Sequence, residues 1–198
     1  MGTIDKIERR LIPLIARLVE HLQSKLLTYK HQELKRQLKF CGRGVRFKRE
    51  IRIDHPQNVS IGDKVYIGPN TVLDGRGGIT IGKNTTLGFN VVVLSANHDY
   101  KSNALPYEHN VYIHKPVVVG ENVWIAGNVL IVPGVTIGDG AIIAAGTVVT
   151  GNVEPLAIVG NQPMRVLKYR DKEHYDRLAG KESEAISTTS ELVPSDKE

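Results

Sequence analysis

From Ile61 to Val149 an aliphatic residue returns at every sixth position, and the one long break in that rhythm opens directly after His98. Before the break the frames read Ile61-Gly-Asp-Lys-Val-Tyr, Ile67-Gly-Pro-Asn-Thr-Val, Ile81-Gly-Lys-Asn-Thr-Thr and Leu87-Gly-Phe-Asn-Val-Val. After it come Val119-Gly-Glu-Asn-Val-Trp, Ile125-Ala-Gly-Asn-Val-Leu, Ile131-Val-Pro-Gly-Val-Thr, Ile137-Gly-Asp-Gly-Ala-Ile and Ile143-Ala-Ala-Gly-Thr-Val. A short fixed period of this kind predicts a parallel β-helix, in which each coil covers its neighbours and an aliphatic stack fills the middle. Glycine or alanine after many of the aliphatic positions, and Asn or Gly two places later, suit the close approaches and positive φ angles of tight corners.

The irregular steps occur in phase. Ile53 to Ile61 spans eight residues, Leu73 to Ile81 eight again and Val93 to Ile113 twenty, whereas most other steps are six. With three faces per coil, positions 53, 73 and 93 begin the same face of successive coils. The extra residues, including the run Asp74-Gly75-Arg76-Gly77-Gly78, are therefore expected to stack at one corner of the prism. The largest of them is an excursion over residues 99–112. The strand repeat is expected to begin near Phe47 and Ile53 and to end about Val159, within a β-helix domain of residues 41–163.

Ahead of the repeat, Ile4, Ile7, Leu11, Leu14, Ile15, Leu18, Val19, Leu22, Leu26 and Leu27 recur at three- and four-residue intervals. That spacing predicts one or two amphipathic helices over residues 3–39 within an N-terminal segment of residues 1–40. Pro13 is expected to kink the helix or begin a new one, because it removes a backbone donor and crowds the preceding turn. The segment either caps the open end of the β-helix or packs on another subunit. Alternatively, with Arg9, Arg10, Arg17 and Lys25 on its polar side, it lies on an anionic membrane surface. Residues 164–180 read as a short helix or strap, and 181–198, rich in Ser, Thr and Glu, as a mobile tail.

Composition narrows the class. Nineteen glycines with only 3 Phe and 1 Trp fit many corners around a thin aliphatic core. A single cysteine, Cys41, cannot form an internal disulfide, no stretch approaches a bilayer-spanning length, and the N-terminus lacks a signal-peptide pattern. These features predict a soluble cytoplasmic protein. The net charge of +5 is uneven: residues 1–52 carry 14 Lys or Arg against 5 Asp or Glu. No aromatic-interleaved basic motif or nucleic-acid module accompanies that block, which argues against a nucleic-acid partner.

Three histidines cluster at the break: His98 at its start, His109 within it and His114 just after it. A histidine, with an ordinary pKa of about 6.5, suits proton transfer near neutrality. A rigid solenoid with one excursion supplies a fixed base and an adaptable wall for a substrate, which makes His98 the candidate for catalysis.

From Ile61 to about Arg170 the chain resembles the left-handed β-helix hexapeptide acyltransferases. The similarity is to the branch of maltose, galactoside, xenobiotic and polysaccharide O-acetyltransferases. It is carried by Ser95-Ala-Asn-His98-Asp, Asn122-Val-Trp124-Ile125, the Ile131-Val-Pro-Gly-Val-Thr-Ile137-Gly-Asp-Gly run and Val159-Gly-Asn-Gln-Pro163-Met-Arg165-Val. The resemblance implies left-handed winding, a homotrimer with active sites between subunits, and acetyl-CoA as co-substrate with no metal. It implies direct transfer of the acetyl group to a hydroxyl of a carbohydrate, the family's histidine falling on His98 as general base. Trp124 matches the tryptophan beside the thioester and acceptor, although a tryptophan in such a frame can also be a packed filler. Gly127, Ala145 and Thr150 fall where the pantetheine arm runs, and Arg165 and Lys168 at basic positions near the adenine and phosphate end of CoA. Direct transfer needs no acyl-enzyme, so Cys41 reads as a packing residue.

His98-Asp99-Tyr100 departs from the small-sugar enzymes, which often follow the histidine with proline, and looks more like the acetyltransferases of polysaccharides, lipopolysaccharides and glycan precursors. Gly151 stands where relatives can carry a lysine, which removes one CoA contact. Asn70 and Asp74 are expected to face one cleft as ligands for acceptor hydroxyls. A rival reading is a γ-class-like zinc carbonic anhydrase on the same scaffold, with His109 and His114 spaced like two of its ligands and His98 as a third. A non-catalytic scaffold, which would bind no CoA, is the remaining alternative.

Overall fold

The computed structural model describes residues 3–103, 105 and 111–160, with side chains from residue 11 onward. Three parallel sheets form the walls of a β-solenoid, and each turn of the chain visits them in the same order. The first sheet stacks Phe40–Cys41, Val59–Ile61, Ile79–Ile81, Val117–Val119 and Thr136–Ile137. The second, six strands deep, runs from Arg46–Phe47 to Ile158–Val159 and includes Thr86–Leu87, Trp124–Ile125 and Ile142–Ile143. The third contains Arg52–Asp54, Val72–Asp74, Val92–Leu94, Leu130–Ile131 and Val148–Val149.

The six-residue repeat produces this register because it returns each aliphatic side chain above its equivalent one coil earlier. Ile61 pairs with Ile81 and Val119 with Ile137 in the first sheet, Leu87 with Ile125 and Ile125 with Ile143 in the second, and Val93 with Ile131 in the third. These columns fill the interior, and Ile67, Leu87, Ile125, Ile131 and Ile143 are fully buried. Each such side chain contributes about 1.5–3 kcal/mol relative to exposure. The coils are joined by backbone bonds of constant geometry, among them Gly62 N–H to Ile81 O, Gly82 N–H to Val119 O and Gly120 N–H to Ile137 O, all 2.8 Å.

Corners are built from residues that accept a left-handed backbone. Asn84 and Asn122, and likewise Asn90 and Asn128, have φ of 54–58°, a region that short polar side chains tolerate. Their amides also bond along the stack, Asn84 to Asn122 at 3.2 Å and Asn90 to Asn128 at 3.0 Å. The buried hydroxyls are paired: Thr71 donates to Gly68 O at 2.9 Å, Thr85 to Gly120 O at 2.8 Å and Thr147 to Ala144 O at 2.7 Å.

The solenoid begins one strand before the expected start. Phe40–Cys41 pairs with Val59–Ile61, and Cys41 takes the place an aliphatic residue holds in later coils, which hid this frame in the sequence. Burial pushes its thiol pKa up, opposed by nearby Lys35. Cys41 is thus a core-facing filler, as expected.

Thr3–Gln37 is one helix, α1, that continues through Pro13 instead of restarting there. Only its C-terminal end docks on the first coil. Leu34 packs against the core, Lys35 Nζ donates to Val45 O at 2.6 Å, and His31 meets the Phe47 ring edge-on at 5.7 Å. Burial, with Lys35 adding repulsion, holds the His31 pKa below its ordinary value. Leu11, Leu14, Ile15, Leu18 and Leu22 are all exposed. At 3.6 residues per turn they lie on the side of α1 opposite His31, Leu34 and Lys35. The helix therefore carries two apolar faces, of which the solenoid uses one. The proposed strap over 164–180 and tail over 181–198 lie outside the described residues.

A Cβ placed on Gly68 would come within 2.0 Å of the Gly88 carbonyl oxygen, whereas one on Gly151 meets nothing within 4 Å. Gly68→Ala is expected to lower stability by about 1–3 kcal/mol through overpacking, and Gly151→Ala to leave it nearly unchanged. Thermal unfolding followed by circular dichroism compares the two.

Candidate active site

The surplus residues gather on one edge of the prism, between the third and first sheets, as their common phase predicts. Pro56–Asn58 and Gly75–Gly77 form single 3-10 turns in successive coils. On the next coil Ala96–His98 and Tyr112–His114 make the only antiparallel strand pair among the described residues. The excursion is thus a β-hairpin mounted on this edge.

Buried Ser95 locks the hairpin to the coil beneath it. Its hydroxyl donates to Asp74 O and accepts the Gly77 N–H at 2.8 Å, while its carbonyl accepts the Lys115 N–H at 2.8 Å. The turns are pressed together so closely that a Cβ on Gly77 would lie 2.1 Å from Ser95 O, and one on Gly75 2.6 Å from the Val59 side chain. Glycine is required at both places by this approach.

His98 pairs across the hairpin with Tyr112, and Ala96 with His114. By strand alternation His98, Tyr112 and His114 share one face. The His98 imidazole is exposed and rests against the Tyr112 ring, with centroids 4.4 Å apart and planes tilted by 37°. The adjacent Asp99 does not serve as an orienting carboxylate: it accepts the Lys101 N–H at 2.9 Å and shapes the first turn of the excursion.

Tyr112 is also met by Arg76, its guanidinium 4.3 Å from the ring centroid. A hydrogen bond to the Tyr112 side chain above all, and then the Asp74 charge, raises the guanidinium pKa further. Asp74 Oδ1 is 3.5 Å from Arg76 Nε and also accepts the Arg76 backbone N–H at 3.2 Å. Arg76, Tyr112, His55, Asn58 and His114 line an open cavity of about 510 Å³. His55 sits in a left-handed conformation, φ 54° and ψ 53°, ahead of the Pro56–Asn58 turn.

The expected site residues fall into two groups. Asp74 and His114 share the decorated edge with His98. Asn70 does not: with φ 58° it occupies the corner between the second and third sheets. The expectation that Asn70 and Asp74 face one cleft therefore fails within a chain, because the two end opposite sides of the same face. Trp124 projects from the second sheet and is 54% exposed, so it is not a core filler. That sheet lies across the prism from the His98 edge, and one chain does not bring the two side chains together.

Gly127 and Ala145 occupy equivalent positions in successive coils at the corner following Trp124. A Cβ on Gly127 would meet the Phe89 ring at 2.4 Å, so the space over it is already taken. Ala145 and Thr150 are exposed, Thr150 at the end of the third sheet instead of in the Gly127 column. His109, Arg165 and Lys168 lie outside the described residues. No group of three His, Cys, Asp or Glu among the described residues is placed to hold a metal ion. Tyr112, Arg76, His55 and Asn58 are the site residues that spacing alone did not assign. Arg76 lay within the run already marked as surplus, and His55 and Asn58 within the first eight-residue step.

Residues 116–151 match the family model for the bacterial transferase hexapeptide of six repeats, and residues 58–95 that for the hexapeptide repeat of succinyl-transferase. Nodulation protein L of Rhizobium meliloti (strain 1021) is 36% identical over 136 residues, covering 69% of this chain and 73% of that protein. Sophorolipid acetyltransferase of Starmerella bombicola is 40% identical over 134 residues, 68% of this chain and 51% of that one. A hexapeptide-repeat acetyltransferase of Vibrio cholerae, solved in complex with acetyl-CoA, superposes with a TM-score of 0.61 at 30% identity, over 73% of this chain and 78% of that one. The chain spans about half the length of the sophorolipid relative and 61% of a Dictyostelium discoideum relative. The protein belongs to the hexapeptide-repeat acetyltransferase family.

Ser95→Ala leaves the part-buried Gly77 N–H without its hydroxyl acceptor and Asp74 O with the Ser95 backbone N–H in place of two donors. It is expected to destabilise the protein by about 1–3 kcal/mol. Faster amide hydrogen exchange in Ala96–His98 than in the second-sheet strands would locate the loss at the hairpin root.

Proposed function

We propose that the protein transfers the acetyl group of acetyl-CoA to a hydroxyl of a carbohydrate, of the kind found in a polysaccharide, lipopolysaccharide or glycan precursor. The observation that carries this reading is the exposed His98 held on a rigid hairpin at the single decorated edge of a family scaffold. A sugar hydroxyl is scarcely ionised at neutral pH and needs a base as its oxygen attacks the thioester carbonyl carbon. His98 takes that proton. Collapse of the tetrahedral intermediate breaks the carbon–sulfur bond, and the imidazolium returns the proton to the departing thiolate, leaving an acetyl ester and free CoA.

The complete site needs a second copy of the chain. His98 and Trp124 lie on opposite sides of one prism, so a cleft lined by both joins the edge of one subunit to the second sheet of another, which supports a homotrimer. The pantetheine arm then runs along the corner of the second subunit past the Phe89 ring and Ala145, with Thr150, Arg165 and Lys168 as further CoA contacts. Access over Gly127 is limited by Phe89.

The unused face of α1 supports peripheral contact with the cytoplasmic face of a membrane. No helix among the described residues is long and apolar enough to cross one. A strict heptad continued from Leu11, Leu14 and Leu18 would need apolar residues at 21 and 25, where His21 and Lys25 stand. The wide stripe that Ile12, Ile15, Val19, Leu22 and Leu26 create suits an interface better than a coiled-coil seam. Exposed Arg17 and Lys25 and the basic first coil favour anionic lipid, at about 1 kcal/mol per cation near the surface.

His98→Ala is expected to lower turnover by about 10² to 10⁴-fold with acetyl-CoA binding retained. Failure of acetyl-CoA to bind, or to be consumed with any of a broad panel of sugars and glycolipids, would sink the reading. Co-assembled His98→Ala and Trp124→Ala chains should regain activity that neither shows alone, and no regain in verified mixed assemblies places the site in one chain. In vesicle sedimentation, the protein should pellet with anionic but not zwitterionic lipid, and Leu18→Glu with Leu22→Glu should release it. Equal binding of that variant would remove α1 from the contact.

A further inference from the structure

The cavity beside His98 has a lining that is informative about the acceptor. Among the described residues, its lining of His55, Asn58, Arg76, Tyr112 and His114 presents a guanidinium, two imidazoles, an amide and a phenol, with no carboxylate. Sites for neutral sugars depend on groups that accept hydrogen bonds from hydroxyls, and ionised carboxylates are the strongest acceptors among side chains. Asp54 and Asp74 end strands of the third sheet at this edge, and neither lines the cavity. Asp54 accepts from Arg52 at 2.8 and 3.0 Å, and Asp74 turns to the backbone and Nε of Arg76.

We propose that this cavity holds an anionic group of the acceptor, a carboxylate or a phosphate, with Arg76 as its charged contact. This rests on the acetyl-transfer reading and names its substrate class. Arg76 is fixed for that role by its surroundings. The flanking glycines let its turn press against Ser95 on one side and Val59 on the other, and the Tyr112 ring supports the guanidinium from one face at 4.3 Å. Its side chain remains 32% accessible, so the cation is pre-oriented yet open to a ligand. A guanidinium presents parallel donors that match two oxygens of a carboxylate or phosphate.

Arg76 and His98 are linked through one side chain. Successive contacts of 4.4 Å from His98 to Tyr112 and 4.3 Å from Tyr112 to Arg76 join the two groups through a single ring. An acceptor that presents one hydroxyl to His98 therefore brings an acidic substituent, on the same or the next sugar, to Arg76. His55 and His114 add donors on the far side of the cavity. Asn58 is steadied by its amide, which donates to Arg76 O at 3.5 Å.

The experiment compares matched acceptors with the full-length protein and acetyl-CoA: galacturonate against its methyl ester, and glucose 6-phosphate against glucose. We expect wild type to favour the charged member of at least one pair by tenfold or more in kcat/KM, chiefly through KM. The preferred pair distinguishes carboxylate from phosphate. Arg76→Gln should reduce that ratio towards one, and Arg76→Lys should restore part of it. Equal use of charged and neutral acceptors by wild type overturns the anionic subsite and leaves acetyl transfer standing. An undiminished ratio in Arg76→Gln removes Arg76 from it. No acetyl transfer to any acceptor, charged or neutral, overturns the underlying reading instead. Should Arg76→Gln fail to fold, the wild-type ratio alone decides whether the acceptor is anionic.

Discussion

Backbone hydrogen bonding from each coil to the next is the constraint on which the rest of this protein depends. It runs along the whole solenoid, with N–H groups such as those of Gly62 and Gly82 donating to the following coil and corner N–H groups such as those of Asn84 and Asn122 donating to the preceding one, and it admits no slip, since a shift of one residue would turn every inward aliphatic side chain outward. The stacked columns, the asparagine ladders and the glycines that touch the next coil are all consequences of holding that register. A chain so constrained has nowhere inside to store an additional residue. Surplus length has to leave at a corner, and here it leaves at the same corner in three successive coils.

That expulsion brings the candidate chemistry together. The 3-10 turns at Pro56–Asn58 and Gly75–Gly77 and the hairpin root at Ser95 form a packed column outside the core, tied to it by short hydrogen bonds. His98 projects from this column with Tyr112 against it, and Arg76 against Tyr112. The imidazole is open to solvent while its backbone is held by strand pairing, which leaves the side chain accessible and still well placed. The second sheet contributes nothing to this edge within the same chain. Its exposed Trp124 is a surface feature of the opposite face.

The period of six made the solenoid, its three faces and the decorated edge legible, because an aliphatic column is a one-dimensional property that spacing can carry. The phase of the eight-residue steps even located the turns around His55 and Arg76. The Cys41 frame was missed because a thiol stands where an isoleucine was expected. Asn70 stands in a corner frame, where an asparagine also suits a backbone role, and its left-handed φ shows that it has one. Arg76 and Tyr112 acquire their meaning only from a contact between coils more than thirty residues apart, which no local pattern encodes. In α1 the apolar stripe was clear, but its division into two opposed faces depends on which end touches the solenoid.

The edge has one further property. The turns and the hairpin are added to coils whose inward columns continue undisturbed above and below them, so their length is decoupled from the packing that keeps the fold. Insertions at this corner are nearly free of cost to the core, whereas the same residues at either of the other two corners would break an asparagine ladder. The scaffold thus confines variation in length to the margin that carries His98. A lineage of such proteins has a route to change by exchanging that one margin of the prism, coil by coil, while the rest of the solenoid stays as it was.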